Sequence, residues 1–579
     1  MAGIRVWSIV VGVVAVLVGW TLLFRPFASL TVLLLLVVVG LLVMAGSRLA
    51  ELERPWAALD LVPATAYLLA AVAVLVWPGS AVVVLVWVVG LSLLVDGVVA
   101  LVHAVRDRGP GRITSALRGT ATVVLGVLAL SWPDVTSIVV AVVFGIRVLW
   151  TGLELVWQGV RGRTAGRPTG QPAPAGPRPW WRRSLSFVAA AATLVLAVAL
   201  AGVGSLVSNS TPVPDDFYTA PEDVPGEPGA LLRTDDFDRA IPDGARAWRI
   251  LYTTTALGDE PALASAIVVV PDDAGAAPLP VVAWAHGTTG VAEGCAPSLL
   301  ADPFEAGAMF TLDEAIGNDW AVVATDYVGL GTEGPHAYLV GEPAGHAVLD
   351  AVRAARAVEE ISLADRTVVW GHSQGGHAAL WAGILAEDHA PDAGVVGVAA
   401  MAPASNLTGL ITNLDEVPGG SIFASYVLDG FASTYDDVDV DDYVRGAAEV
   451  QVEEMATRCL SGPGALVNIA EYLVQDTSVF DTDPTSGALG ARLEENVPAG
   501  PIAAPLLLAQ GETDPLVIPS AQQEYADQRC DSGGGPVDYR TYPDRDHVGV
   551  VADDSPLVPD LLEWTRQRFA GEEAADTCG

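Results

Sequence analysis

The run Thr367-Val368-Val369-Trp370-Gly371-His372-Ser373-Gln374-Gly375-Gly376-His377-Ala378-Ala379-Leu380 sets G-x-S-x-G between a β-branched apolar stretch and a helical pattern. In that context a sharp strand-to-helix turn exposes the serine oxygen, and small residues two before and two after it let the chain pass. The N-terminus of the following helix favours negative charge building on a bound substrate oxygen. A serine hydroxyl is a weak nucleophile until a histidine takes its proton and an acid orients that histidine. The bland alternative is a glycine-rich turn without chemistry.

In a strand–elbow–helix fold the partners follow in the chain order Ser, Asp or Glu, His. Three histidines follow Ser373. His377 lies one turn along the elbow helix, pointing away from the serine, and His389 ends that helix. His547, in Tyr542-Pro543-Asp544-Arg545-Asp546-His547-Val548, follows an expected strand at 537–542, where a loop can carry it to the sheet's C-terminal edge. It is the expected base. The expected acid is Asp514, in the loop after a buried strand, where Thr513-Asp514-Pro515 aims a short side chain back across the strand ends. Glu512 is the near rival, with Asp544 and Asp546 beside the histidine.

These residues need a frame. Apolar β-branched runs at 264–270, 280–285, 320–325, 367–370, 395–401 and 505–509 alternate with helical patterns at 345–358, 375–387 and 557–569. Alternation of this kind predicts a mostly parallel sheet wrapped by helices. A helical cap over about 404–502 interrupts it.

The chain has 579 residues and is 51% hydrophobic, yet its net charge is −38. Length alone predicts more than one domain, and the contrast resolves near residue 207. Residues 1–207 carry 15 Arg against 7 acidic residues, whereas 208–579 carry 15 Arg against 61, and every basic residue is Arg. An apolar basic front and an acidic rear belong to different solvents. So acidic a rear would repel phosphate, which excludes a nucleic-acid partner.

A helix needs about 20 apolar residues to cross a bilayer. The front offers seven predicted crossings, near 5–24, 28–46, 58–77, 80–102, 114–132, 135–158 and 185–207. The first six form three hairpins turning at Pro26, Pro78 and Pro133. Arginines crowd the 47–57, 103–118 and 159–183 loops, while the proline turns hold only Arg25 and Asp134. Positive loops stay in the cytoplasm. This predicts a multi-pass plasma-membrane protein with its N-terminus inside and residues 208–579 outside. Asp96, Arg147 and Glu154 fall within the spans, and Arg147 and Glu154, seven apart on one helix face, are an expected internal pair. The Arg/Pro-rich 161–183 loop is expected to be disordered, and the proline-rich start of 208–244 is expected to be an extended linker.

The three-hairpin pattern resembles the HdeD/DUF308 family of six-helix membrane proteins over about 1–160. The rear, over about 245–579, resembles the secretory lipases of the Candida antarctica lipase A type within the α/β-hydrolases. The motifs that carry this resemblance are Cys295-Ala296-Pro297-Ser298, the 324–331 segment Ala-Thr-Asp-Tyr-Val-Gly-Leu-Gly, the 345–354 helix beginning Gly345-His346-Ala347, the serine elbow, Thr513-Asp514-Pro515, Asp546-His547 and the terminal Cys578-Gly579. The resemblance implies ester and triacylglycerol hydrolysis by Ser373, Asp514 and His547, with an oxyanion hole from Asp326 and the backbone of Gln374. The turn His286-Gly287-Thr288-Thr289-Gly290 offers further backbone donors near Thr288.

The four cysteines, Cys295, Cys459, Cys530 and Cys578, all lie in the rear, and an even number outside the cell predicts two disulfides. The resemblance implies Cys295–Cys459 and Cys530–Cys578. No cofactor is expected. The sequence holds no Cys-x-x-Cys or histidine cluster for a metal, and the acidic 436–442 run lacks the glycine and distal glutamate of a calcium loop. The expected partners are an ester or lipid substrate and the bilayer; oligomeric state stays open. The sequence therefore predicts a membrane-anchored extracellular serine lipase or carboxylesterase working through an acyl-enzyme. The alternatives are an acyltransferase or peptidase of the same fold acting on the envelope, or a transport or stress protein whose hydrolase-like domain only binds.

Overall fold

The computed structural model describes residues 2–50, 62–106, 111–161, 180–208, 210–222, 224–273, 275, 277–475 and 477–578. The chain divides into two units. The first comprises Met1–Asn209 with Val444–Glu454 and Ala470–Asp481; the second comprises Ser210–Tyr443, Met455–Ile469 and Thr482–Gly579.

Among the described residues of its Met1–Asn209 part, the first unit shows α1 (Ala2–Leu23), α2 (Pro26–Ala50), α3 (Val62–Val76), α4 (Pro78–Arg106), α5 (Arg112–Ser131), α6 (Pro133–Arg161) and α7 (Trp180–Ser208). Proline opens α2, α4 and α6. It fits there because the first residue of a helix has no intrahelical use for its N–H. The expected 58–77 crossing begins outside the described residues, as does the core of the 161–183 loop. Among the described residues, four helical stretches, Pro78–Arg106, Arg112–Ser131, Pro133–Trp157 and Ser184–Val207, are long and apolar enough to cross a membrane, and Ile9–Leu23 and Pro26–Leu42 are shorter apolar helices. Leu17, Leu69, Val84 and Val195 stand exposed. Lipid, not water, is the solvent that such an outer face fits.

Small residues bring these helices close. Gly152 of α6 would put a Cβ 2.6 Å from Val16 N of α1, and Gly97 of α4 would put one 2.8 Å from Val123 N of α5. Backbone contact of this kind is how apolar helices associate where burial from water gives no drive. The expected Arg147–Glu154 pair is not seen among the described residues: Glu154 Oε1 instead accepts from Trp150 Nε1 at 2.7 Å, a partner one turn away on the same helix.

The second unit is organised by a nine-stranded sheet: β1 (Leu231–Phe237), β2 (Ala245–Thr255), β3 (Pro261–Pro271), β4 (Leu279–Ala285), β5 (Ala321–Val328), β6 (Leu363–His372), β7 (Val395–Met401), β8 (Leu506–Gly511) and β9 (Val537–Tyr542). The spatial order is β1-β2-β3-β5-β4-β6-β7-β8-β9. β1, β2, β3 and β5 pair antiparallel in succession, and every pairing from β5 through β4 to β9 is parallel. The central strands read as near-continuous apolar runs because both faces are covered. Val281, Ala283 and Val369 face a core shared with the Gly341–Ala355 and Gln374–His389 helices. Val282, Trp284, Val368 and Trp370 face the opposite core, closed by the Leu557–Ala570 helix. Between β7 and β8 this unit carries the helices Leu407–Asn413, Gly420–Thr434 and Gly487–Glu495, within the expected cap.

The expected linker 208–244 is corrected. β1 lies inside it, with Thr234 opposite Ile250. The preceding segment is also held down: Arg233 Nη1 donates to Phe217 O at 2.7 Å, Arg249 bridges Asp215 and Asp235 at 2.9 Å each, and Tyr218 OH lies 2.8 Å from Ser298 Oγ. β1 escapes a sequence reading because it is an edge strand, and its polar Arg-Thr-Asp-Asp stretch breaks the apolar run.

Candidate active site

β6 ends at His372 and the next helix begins at Gln374, so Ser373 alone makes the turn. Its φ of 57° and ψ of −117° lie in a region costly for a residue with a Cβ, and such strain persists only where the surroundings enforce it. Three backbone bonds do so: Ser373 N donates to Met401 O at 3.0 Å, and Ser373 O accepts from His377 N and Ala404 N, each at 3.1 Å. The motif glycines have steric reasons. A Cβ on Gly371 would lie 2.0 Å from Gly375 O, and one on Gly375 would lie 1.9 Å from Ala285 O at the end of β4.

His547 follows β9, and Asp514 follows β8. His547 Nε2 lies 2.9 Å from Ser373 Oγ, and His547 Nδ1 lies 2.8 Å from Asp514 Oδ2. Asp514 is fully buried and fixed on all sides. Its Oδ1 accepts from the amides of Leu516 and Val517 at 2.9 Å each, and its Oδ2 also accepts from Gln510 Nε2 at 3.1 Å. A carboxylate so bonded donates nothing, so His547 carries its proton on Nδ1 and offers Nε2 as acceptor to the serine hydroxyl.

The rivals point elsewhere. His377 Nε2 meets Asn496 O at 2.7 Å, and His389 Nε2 meets Asp350 Oδ2 at 2.9 Å. Glu512 Oε1 accepts from Thr541 Oγ1 at 2.9 Å, Asp546 Oδ1 accepts from Gly549 N at 2.7 Å, and Asp544 is exposed. In the acidic 436–442 run, Asp437 pairs with Arg492 at 3.1 Å, and the guanidinium bonds hold its carboxyl below the ordinary range. The sulfurs of Cys295 and Cys459, and of Cys530 and Cys578, are joined.

The oxyanion candidates divide. Gln374 is the first residue of its helix, so its amide has no intrahelical acceptor and faces the turn that carries Ser373. Thr288 Oγ1 lies 2.8 Å from Tyr338 OH, one hydrogen bond back from the cavity at Ser373, which Tyr338 lines. Asp326 is corrected. Its Oδ1 accepts from Ser298 N at 2.9 Å, and its Oδ2 binds Ser298 Oγ and Ser265 Oγ at 2.5 and 2.6 Å. Burial pushes its carboxyl up and these bonds pull it back. The group is a buried strut between β3, β5 and the Cys295–Ser298 turn, and it does not line the cavity at the serine.

Two further histidines escape a search confined to residues after Ser373 or to candidate bases. His336, in the loop after β5, accepts from Gln374 Nε2 at 3.0 Å on Nε2 while its Nδ1 bonds Val328 O at 3.0 Å, and burial pushes its pKa down to about 4. It anchors the side chain of Gln374, the residue next to Ser373. His372 Nε2 bonds His547 O at 2.8 Å and its ring packs 4.8 Å from the His547 ring, steadying that loop. Burial, then the neighbouring His547, push His372 down to about 3, so it stays neutral. The one available signal for His336 is its place among Gly334, Pro335 and Tyr338 in a loop at the sheet's C-terminal edge, where function concentrates.

The narrow cavity at Ser373 is lined by Ser373, Gln374, Tyr338, Leu410, Phe423 and Val427, among others. It is apolar except at the serine end. A helix-wrapped parallel sheet with this elbow defines an α/β-hydrolase. The secretory lipase family model matches residues 306–577, and the short repeat of unknown function DUF308 matches 62–122 and 117–172. Lipase 6 of Candida albicans is 26% identical over 412 residues, covering 65% of this chain and 85% of that protein. The secreted triacylglycerol lipase LIP7 of Malassezia globosa is 27% identical over 393 residues, covering 63% and 81%. The closed-state structure of Candida antarctica lipase A shares the fold, with a TM-score of 0.55 at 21% identity over 63% of this chain and 87% of its own. The protein is a lipase-type ester hydrolase, and its chain also carries an apolar helical region that the DUF308 repeat model matches in part.

Proposed function

We propose that the protein is a membrane-anchored serine hydrolase of carboxylic esters, with Ser373, His547 and Asp514 as its triad. One observation carries this reading: the hydroxyl, imidazole and carboxylate form a continuous hydrogen-bonded chain of 2.9 and 2.8 Å at the mouth of an apolar cavity. His547 Nε2 takes the proton as Ser373 Oγ attacks the ester carbonyl, and Asp514 stabilises the imidazolium. The Gln374 amide, at the start of the Gln374–His389 helix, receives the developing oxyanion. The imidazolium then protonates the departing alcohol, and a water activated by His547 releases the acyl group as acid. Triacylglycerols and simple esters are the substrates that the lipase relatives suggest.

The apolar helices anchor the enzyme in a bilayer, and the arginine-rich loops support an outward-facing rear. The paired cysteines fit an oxidising compartment. Hydrolysis of p-nitrophenyl esters of graded chain length by the detergent-solubilised chain tests the chemistry. Ser373→Ala should lose turnover; equal turnover by both proteins would refute the triad. A membrane-impermeant thiol reagent, applied to intact cells after mild reduction, should label the cysteines, and absence of labelling would reverse the orientation.

A further inference from the structure

The helix Pro463–Val474, between β7 and β8, is sorted the wrong way round for water. Leu466, Ile469, Leu473 and Val474 stand exposed at helical spacing on one face, Leu466 at 69% and Leu473 at 72%. The polar residues face inward instead: Asn468 is wholly buried and Glu471 nearly so. Asn468 is fixed there, its Oδ1 accepting from Arg458 Nη1 at 3.0 Å and its Nδ2 donating to Met455 O at 3.3 Å. Glu471 is the one charged residue of the helix, so the outward face carries no charge, in a rear that holds 61 acidic residues. Apolar residues scattered over a surface are ordinary, whereas a helix with its polar side buried and its apolar side out fits a neighbour that is not water.

Depth and area select that neighbour. Ala470–Asp481 and Val444–Glu454 belong to the same unit as α1 to α7. Within that unit Arg445 N donates to Val479 O at 2.8 Å, and Val444 bridges Phe480. Val450 packs with Leu34 and Val82, and Gln451 Nε2 donates to Ser137 Oγ at 2.6 Å, near the starts of α4 and α6. The end of the helix is therefore held at the level of the Pro78 and Pro133 turns, where the spans are expected to leave the outer side of the bilayer. A stable protein partner covers about 800 Å² of a surface, and one stripe on a helix about 18 Å long offers a fraction of that. Resting on the membrane-anchored reading above, we propose that Pro463–Val474 lies in the outer leaflet of the bilayer that the chain spans, with Leu466, Ile469, Leu473 and Val474 among the upper acyl chains. A helix in that position sinks about 5–10 Å into the boundary between headgroups and tails. With no cation on the face, the surface it fits is a neutral lipid one, and one helix of the cap is held in the layer where ester-bearing lipids reside.

All four native cysteines are joined in disulfides, so Leu473→Cys introduces a single thiol for an environment-sensitive fluorophore. The labelled full chain is reconstituted in phosphatidylcholine vesicles that carry nitroxides either near the top of the acyl chain or near its end. The label should lose most of its emission to the shallow nitroxide and less to the deep one. Val84→Cys, on the exposed side of α4, should be quenched as well, and Glu524→Cys, exposed on the Pro519–Asp531 helix, should be quenched by neither. A thermal melt verifies folding, and Ile469→Cys reads the same face should the Leu473 variant fail to fold. Quenching at Val84 without quenching at Leu473 overturns this proposal and leaves the anchor standing, whereas no quenching at either overturns both. A Leu473 label shielded from aqueous iodide yet untouched by both nitroxides would mean a protein neighbour, such as a second copy of the chain, and would also overturn it.

Discussion

Replacing Asp514 by asparagine separates the electrostatic task of the acid from its shape. The two side chains are nearly isosteric, but their hydrogen-bonding atoms differ. Asp514 Oδ1 accepts two backbone amides at 2.9 Å, so the asparagine carbonyl must take that position to avoid facing two donors with a third. The amide nitrogen then occupies the place of Oδ2, facing Gln510 Nε2 and His547 Nδ1. A donor opposite Nδ1 forces the imidazole into the other tautomer, with its proton on Nε2 against the Ser373 hydroxyl. It can then no longer accept the serine proton. In the serine-protease triad the same substitution lowers kcat about 10⁴-fold, roughly 5 kcal/mol of barrier. A fall of about 10³ to 10⁴ is expected here, and KM should move little because Asp514 does not line the substrate cavity. Steady-state hydrolysis of p-nitrophenyl esters, alongside a thermal melt to verify folding, makes the measurement. A folded variant retaining more than about a tenth of the wild-type kcat would show that another group orients His547.

Three more outcomes follow from the geometry. Gly375→Ala sets a Cβ 1.9 Å from Ala285 O, a backbone atom that cannot turn aside, and the elbow must shift. A misplacement of about 1 Å in a reacting constellation costs about 10²-fold, so activity near wild type would refute the steric account. His286, His336 and His377 are pushed down to about 4, and His372 to about 3, each chiefly by burial. Unfolding frees them to bind protons near pH 6.5, so their contribution is fully present above that pH and fades as pH falls toward 4. Each accounts for about 3 kcal/mol between pH 7 and 4. Denaturant unfolding in high salt, which screens the exposed acidic charges, should show the loss, and stability that stays flat or rises would contradict it. Finally, Cys530–Cys578 closes a separation of 48 residues, and its removal by paired serine substitution should lower stability by about 4 kcal/mol in urea titration. A change within about 0.5 kcal/mol would show that the crosslink restrains little of the unfolded chain.

Much of the frame was legible because burial writes itself into residue type. β4 through β8 sit inside a covered sheet, and their apolar β-branched runs announced them within a few residues. β1 did not announce itself, because an edge strand pairs on one side and tolerates Arg233, Thr234, Asp235 and Asp236. The stretch before it read as a spacer for its prolines, yet Arg233 and Arg249 tie it to the sheet through carbonyls and carboxylates no local pattern encodes. The expected span pair of Arg147 with Glu154 depended on helix spacing alone, and Trp150, nearer along the same helix, took the carboxylate.

The sequence by itself determined the division between an apolar arginine-bearing front and an acidic rear. It also determined the elbow, since strand, tight glycines and helix are adjacent in the chain and each is a short-range property. Tertiary structure alone decided which polar groups meet. Ser373 and His547 are 174 residues apart, and their contact depends on the register of parallel strands and the loops that leave their ends. The same packing took Asp326 away from the oxyanion and made it a strut, and brought His336 up behind Gln374. Residue type states what a side chain can do, and only the closure of the sheet states what it faces.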